Sequence, residues 1–188
     1  MEGKCIILCA PSGAGKTSIT KFLLSQNLDL AFSVSACNRK KRADEIDGVD
    51  YYFLSTEDFK KKIENKEFVE WEEVYQHQYY GTLNAEVKRI WENGQHVIFD
   101  VDVVGGLSLA KYFGEKALAI FIQPPSIKIL EERLRKRGSE TEETIQKRLS
   151  KAIQELNYSK WFNHIVINKD LDKAKQDTLK IVKEFLKK

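Results

Sequence analysis

Cysteine is scarce in this chain: Cys5, Cys9 and Cys37 are the only three in 188 residues. Three is an odd number, and their spacing matches no zinc motif. The sequence therefore excludes a disulfide framework and reads as free thiols in a reducing, cytoplasmic compartment. The histidines His77, His96 and His164 are scattered and lack ligand spacing, so no structural metal is expected. Long apolar runs are absent. A stretch such as 117–122 falls far short of the ~20 residues that span a bilayer. A strand pattern begins at Cys5, which leaves no room for a signal peptide ahead of it. Neither sign of charge dominates: 31 Lys and Arg face 28 Asp and Glu, a net charge of +3. That is too little to argue for bulk nucleic-acid binding. Repeats and low-complexity segments are missing as well. With 42% hydrophobic and 31% charged residues, the expectation is one soluble globular domain able to bury a sizeable core.

What is present is more specific. The segment Ala10-Pro11-Ser12-Gly13-Ala14-Gly15-Lys16-Thr17 follows the apolar run Cys5-Ile6-Ile7-Leu8-Cys9 and precedes a helical pattern over 18–24. Strand, glycine-rich loop and helix in that order are the context of a phosphate-binding loop. Glycines let backbone N–H groups close around an anion, and the helix aims its N-terminal dipole at the same place. Lys16 supplies a fixed positive charge for the β- and γ-phosphates, and the Thr17 hydroxyl suits Mg²⁺. The loop departs from G-x-x-x-x-G-K-[ST] at its first position, Ala10. Alanine fits there only with a negative φ, and Pro11 biases Ala10 towards extended geometry. The plain alternative is an ordinary glycine-rich turn.

Strand patterns over 5–9, 32–36, 96–101, 117–122 and 164–167 alternate with helical patterns over 15–25, 83–92, 107–112, 126–135, 142–156 and 173–187. This predicts an α/β fold with a largely parallel sheet. Pro124 and Pro125 close one strand and set up the next helix. The stretch between Arg39 and Thr82 breaks the rhythm. There, strand patterns at 49–53 and 68–75 flank a helix whose start is marked by Ser55 and Asp58. It reads as an inserted lobe of the kind that carries a second substrate. The polar stretch 137–143 has the composition of an exposed lid, or of an ordinary helix–helix loop. The basic runs Arg39-Lys40-Lys41-Arg42 and 133–137 are commonly solvated faces, and the aromatics near them form no stacking module. Beside a phosphate loop, they also read as arginines that gather substrate phosphates.

At this density of motifs the chain resembles the guanylate kinase family over nearly its whole length. The resemblance is carried by the phosphate loop, Ser33-Val34-Ser35 with Arg39, Arg42 and Glu45, Gly48-x-Asp50-Tyr51-x-Phe53, Phe68-x-Glu70-Trp71 and Tyr79-Tyr80-Gly81-Thr82. It continues through Asp100-Val101-Asp102, Pro124-Pro125-Ser126, Arg137-Gly138-x-Glu140-Thr141, Lys147-Arg148-Leu149 and Val166-Ile167-Asn168. It implies a three-layer P-loop kinase with a parallel core sheet, an inserted mixed α+β GMP-binding lobe and a helical lid. The boundaries it implies are a core of 1–34, 83–136 and 150–188, a lobe of 35–82 and a lid of 137–149. The implied reaction is ATP + GMP to ADP + GDP with Mg²⁺, in purine nucleotide metabolism and GMP recycling. The implied assembly is a monomer or homodimer, with neither nucleic acid nor membrane as partner.

By the same resemblance, Ala10 to Thr17 and Asn168 contact ATP, while Thr17 and Asp100 reach the metal. Lys16, Arg39, Arg137 and Arg148 gather around the transferring group. Such clamping suits phosphoryl transfer, which needs charge neutralisation and alignment more than covalent catalysis. Ser35, Arg39, Arg42, Tyr51 and Tyr80 hold the GMP phosphate, and Glu70, Thr82 and Asp102 read guanine. A carboxylate can accept guanine N1–H and N2–H side by side, and Thr82 can donate to O6. Adenine would turn an N1 acceptor towards that carboxylate and leave a buried polar pair unmade.

Taken singly, these residues have ordinary explanations: Glu70 as the wet face of a strand, the tyrosines as core or rim, Asp102 as a cap, Arg148 as helix surface. The ordered match reverses that. Two departures stand out: Lys41 replaces the family's usual proline and Asp44 its usual glycine. The segment around Gln76-His77-Gln78 is one residue longer, predicting a larger turn. Two other functions use such a fold: a phosphopeptide-binding scaffold module, which typically loses the phosphate loop and lid arginines, and a kinase for another nucleoside monophosphate.

Overall fold

The computed structural model describes residues 3–136 and 141–187. In chain order its elements are β1 (Cys5–Cys9), α1 (Lys16–Leu24), β2 (Leu30–Phe32), β3 (Ala36–Cys37), β4 (Tyr52–Phe53) and α2 (Thr56–Glu64). Then come β5 (Phe68–Tyr75), β6 (Gln78–Leu83), α3 (Asn84–Glu92), β7 (His96–Asp100) and α4 (Val103–Phe113). The chain closes with β8 (Ala117–Gln123), α5 (Ile127–Lys136), α6 (Glu142–Leu156), β9 (His164–Ile167) and α7 (Leu171–Leu186).

The core is a five-stranded sheet in the order β2-β7-β1-β8-β9, and every pairing in it is parallel. β1 lies at its centre, which is why its run is apolar on both faces. Ile6 and Leu8 face a layer built from α1 and α7, through Ile19, Leu23, Leu179 and Val182. Cys5, Ile7 and Cys9 face the opposite layer, through Val87, Ile90, Val103 and Leu109 of α3 and α4. Two helical layers on one parallel sheet make a three-layer α/β architecture, as the resemblance implies; the alternating sequence pattern predicts its α/β class and largely parallel sheet.

The inserted stretch builds a separate four-stranded mixed sheet, β4-β3-β6-β5, with its own small core of Ala36, Phe59 and Tyr79. Phe59 on α2 stacks on Phe68 at 4.5 Å and on Tyr79 at 5.6 Å. The Ser55 hydroxyl caps α2 by accepting from Asp58 N–H at 2.9 Å, the cap its sequence announced.

Some boundaries differ from the sequence expectation. The strand expected over 32–36 is two strands in different sheets: β2 ends at Phe32 and β3 starts at Ala36. Local pattern cannot see that break, because both pieces are extended and apolar. The helix expected from Leu107 starts at Val103, capped by Asp102. The helix expected from Lys173 starts at Leu171, behind the Asp170 cap. The turn expected to be enlarged holds two residues, Gln76 and His77, and the β5–β6 ladder is irregular between Glu73 and Tyr75. Asn38 braces this turn by donating to the His77 carbonyl and accepting from Tyr79 N–H. Asp44, where the resemblance leads one to expect glycine, has no positive φ and so carries no left-handed strain.

Candidate active site

The site lies where the central strands end. The connection leaving β1 runs to α1 on one face of the sheet, and the one leaving β7 runs to α4 on the other. A crevice opens between the two, as parallel α/β sheets provide at such switch points. The loop after β1 keeps the left-handed geometry its glycines allow: Gly13 has φ +93 and Gly15 φ +100. Ala10 has no positive φ, so its side chain is tolerated. Gly15 also caps α1, with no side-chain hydrogen bond to the helix and no acid in the first turn. The amino end of α1 is thus left for an anion.

Asn168 supports the loop from below. Its Nδ2 donates to the Ala14 carbonyl at 2.7 Å, and a Cβ at Gly15 would come within 2.3 Å of that nitrogen. Arg133 in turn donates to the Asn168 carbonyl at 2.8 Å. Lys16 forms an ion pair with Asp100 and donates to the Val101 carbonyl at 2.6 Å. The register that sets Leu8 beside Asp100 brings the ends of β1 and β7 together and so places Asp100 within reach of Lys16.

A cavity of about 470 Å³ runs from this loop to the second sheet. Ala10, Pro11, Ser12, Gly13, Gly15, Lys16, Thr17 and Asp100 line one end; Ser35, Tyr51, Glu70, Tyr80 and Asp102 line the other. Arg148 also lines it, and reaches the loop from α6 by donating to the Ser12 hydroxyl at 2.8 Å. Most residues singled out in the sequence therefore share one space.

Several do not. Ala14 is buried behind the loop, and Asn168 is a buried brace for it rather than part of the cavity wall. Arg42 is exposed and does not line the cavity. Arg39 is held beside it, forked onto Glu45 at 2.7 and 2.5 Å, with its guanidinium 4.8 Å from the Tyr51 ring. That fork holds the Glu45 carboxyl down at about 2. Thr82 is fully buried, and its hydroxyl donates to Glu70 Oε1 at 2.7 Å. The sequence reading pointed that proton at guanine O6; here it orients the carboxylate instead. Arg137 lies outside the described residues.

Glu70 is strongly perturbed at the end of the cavity that meets the second sheet. Burial, opposed by the Thr82 hydrogen bond and aided by the charge of Asp102, raises its carboxyl to about 7. Its environment is tight: a Cβ at Gly105, near the start of α4, would lie 3.0 Å from Glu70 Oε2. Asp102 is both a wall residue and the α4 cap, accepting from Gly105 N–H at 2.8 Å. The sequence reading missed three charged wall residues: Glu72, Lys151 and Glu155. Glu72 is raised to about 7 by burial and by Asp102 and Glu70. A period of two from Glu70 would have flagged Glu72, and the helical spacing 148, 151, 155 would have flagged the other two.

Among the described residues, no cluster of three His, Cys, Asp or Glu could cage a metal. Thr17 and Asp100 offer oxygen donors beside the phosphate loop, the partial shell that suits Mg²⁺ arriving with nucleotide phosphates rather than a dedicated protein cage.

A phosphate loop with its lysine facing a second, carboxylate-lined lobe across one cavity defines a P-loop phosphotransferase. The guanylate kinase family model matches residues 2–188. A guanylate kinase of Bacteroides thetaiotaomicron is 52% identical over 188 residues, covering 100% of this chain and 92% of that protein. One of Porphyromonas gingivalis is 49% identical over 186 residues, covering 98% and 99%. The crystal structure of guanylate kinase from Anaplasma phagocytophilum superimposes with a TM-score of 0.79 at 24% identity, over 99% of this chain and 87% of that one, and supports the fold. The chain belongs to the guanylate kinase family, and is by that membership a nucleoside monophosphate kinase.

Proposed function

We propose that this chain transfers the γ-phosphoryl group of ATP to GMP, giving ADP and GDP, and so serves GMP recycling in the cytoplasm. The observation that carries the reading is the single cavity that joins a phosphate loop to a pair of half-buried carboxylates, Glu70 and Asp102. Two anionic substrates meet there, so the barrier is set by charge and alignment. Lys16, drawn from its Asp100 partner, takes the β- and γ-phosphates on the uncapped amino end of α1. Arg148, already at Ser12, closes on the transferring group. Arg39 and Arg42, with the hydroxyls of Ser35, Tyr51 and Tyr80, hold the acceptor phosphate. Thr17 and Asp100 would hold Mg²⁺, which neutralises phosphate charge when bound. Glu70, held by Thr82, accepts hydrogen bonds from guanine N1–H and N2–H, and Asp102 accepts one from the remaining N2–H. In this reading residues 35–82 form the acceptor lobe and 137–149 the lid.

The test is ADP release from Mg·ATP with GMP, AMP, CMP and UMP supplied in turn. ADP with GMP and little with the rest is the expected result. Folded protein that releases none with any acceptor would overturn the proposal.

A further inference from the structure

Glu86 plays no part in the chemistry above, yet it is the one acidic residue among the fully buried side chains of the described residues, at 2% exposure. It stands in the first turn of α3, where the chain returns from the second sheet to the core. Its carboxylate is saturated. Oε1 accepts from Val34 N–H at 3.0 Å and from Arg89 Nη2 at 2.9 Å. Oε2 accepts from Tyr52 OH at 3.0 Å and from Arg89 Nε at 2.9 Å. A buried charge is tolerated only when paired and bonded in this way.

The partners come from separate places. Val34 lies on the connection from β2 to β3 that carries the chain into the lobe, Tyr52 lies on β4 inside it, and Arg89 is one turn along α3. The chain passes between the two sheets only at the β2–β3 connection and at the β6–α3 junction. Glu86 ties both passages and a lobe strand to one point.

What this point fixes lies next door in sequence. Ser35 follows Val34, Tyr51 precedes Tyr52, and Tyr52 N–H donates to the Ser35 carbonyl at 2.9 Å. Ser35 and Tyr51 both line the cavity. The Tyr51 ring also touches the Arg39 guanidinium and, at 5.9 Å, the Tyr80 ring. A shift of β4 would therefore move the groups assigned to the acceptor phosphate together. We propose that Glu86 is a positioning residue for the acceptor site, clamping the lobe's hinge so that Ser35 and Tyr51 are held towards the acceptor phosphate. The inference rests on the assignment of that phosphate to Ser35 and Tyr51.

The experiment measures kcat and KM for GMP and for ATP in wild type, Ser35→Ala, Tyr52→Phe and Glu86→Gln, with thermal melts as the folding control. Tyr52→Phe removes one hydrogen bond to the clamp and leaves its charge pair intact. We expect it to raise the KM for GMP about fivefold to tenfold, from one charge-assisted bond lost, with the KM for ATP unchanged. Glu86→Gln should do the same or more. The Ser35→Ala, Tyr52→Phe double variant should lose less than the product of the singles, since both act through one contact. A Tyr52→Phe protein that melts like wild type and keeps its KM for GMP, or raises both KM values equally, would overturn the inference. If Glu86→Gln fails to fold, Tyr52→Phe decides alone. If Ser35→Ala leaves the KM for GMP unchanged, the phosphate assignment falls and the inference with it. If Ser35→Ala raises that KM and Tyr52→Phe does not, only the inference falls.

Discussion

Replacing Glu70 with Gln should make the protein more stable and a worse enzyme, and both effects should depend on the same carboxylate charge. The native carboxyl is raised from 4.5 to about 7, chiefly by burial. Between those two values the folded protein holds a proton that the unfolded chain has released. Stability contributed by the protonated form is therefore present below pH 4.5 and is lost as pH rises to 7. At about 1.36 kcal/mol per pH unit, the loss approaches about 3 kcal/mol above pH 7. Gln is neutral at every pH and can still accept from Thr82. Urea unfolding from pH 4 to 8.5 should thus show the two proteins converging at the acid end, with Glu70→Gln ahead by about 2–3 kcal/mol at pH 8. Catalysis should move the other way. The amide turns a donor towards guanine donors, so the KM for GMP should rise about 100-fold or more while that for ATP holds. A stability difference that is flat with pH, or an equal effect on both substrates, would refute the reasoning and make Glu70 a structural residue.

Lys16→Met should cut turnover by about 100-fold or more by removing the charge that stabilises the transferring phosphates, with far-UV circular dichroism unchanged; near-normal kcat would remove the phosphate loop from the mechanism. Gly15→Ala forces alanine into φ +100 and its Cβ to 2.3 Å from Asn168 Nδ2. Backbone strain and the displaced Asn168 bond should together cost about 2–4 kcal/mol in urea unfolding, with a raised KM for ATP. Glu72→Gln should stabilise the protein at pH 8 and not at pH 4, since Glu72 too is raised to about 7. The gain should be smaller than for Glu70, because water screens a half-exposed group. A Glu72 variant less stable than wild type at pH 8 would contradict that.

The phosphate loop was legible because its chemistry is local. Eight consecutive residues hold the glycines, the lysine and the hydroxyl, and a strand and a helix on either side complete the context. The Ser55 cap of α2 was legible for the same reason. The proposed acceptor end rests on family resemblance, since Glu70 and Asp102 are distant in sequence and each has an ordinary role at its own position. Glu72, Lys151 and Glu155 went unread although their spacing marks one strand face and one helix face, because nothing local says which face meets a cavity.

The sequence by itself determined that this is an α/β chain with a phosphate loop after its first strand, since periodicity and loop composition are properties of neighbours along the chain. Only the tertiary structure decided that Lys16 meets Asp100, that Thr82 serves Glu70 before any base, and that Asn168 props the loop. It alone showed the extended run at 32–36 to be a passage between two sheets, pinned by Glu86. These are contacts between residues 12 to 154 positions apart, on different elements of the fold. Their partners are chosen by strand order, register and the expense of leaving a buried polar group alone, none of which is written in any one segment.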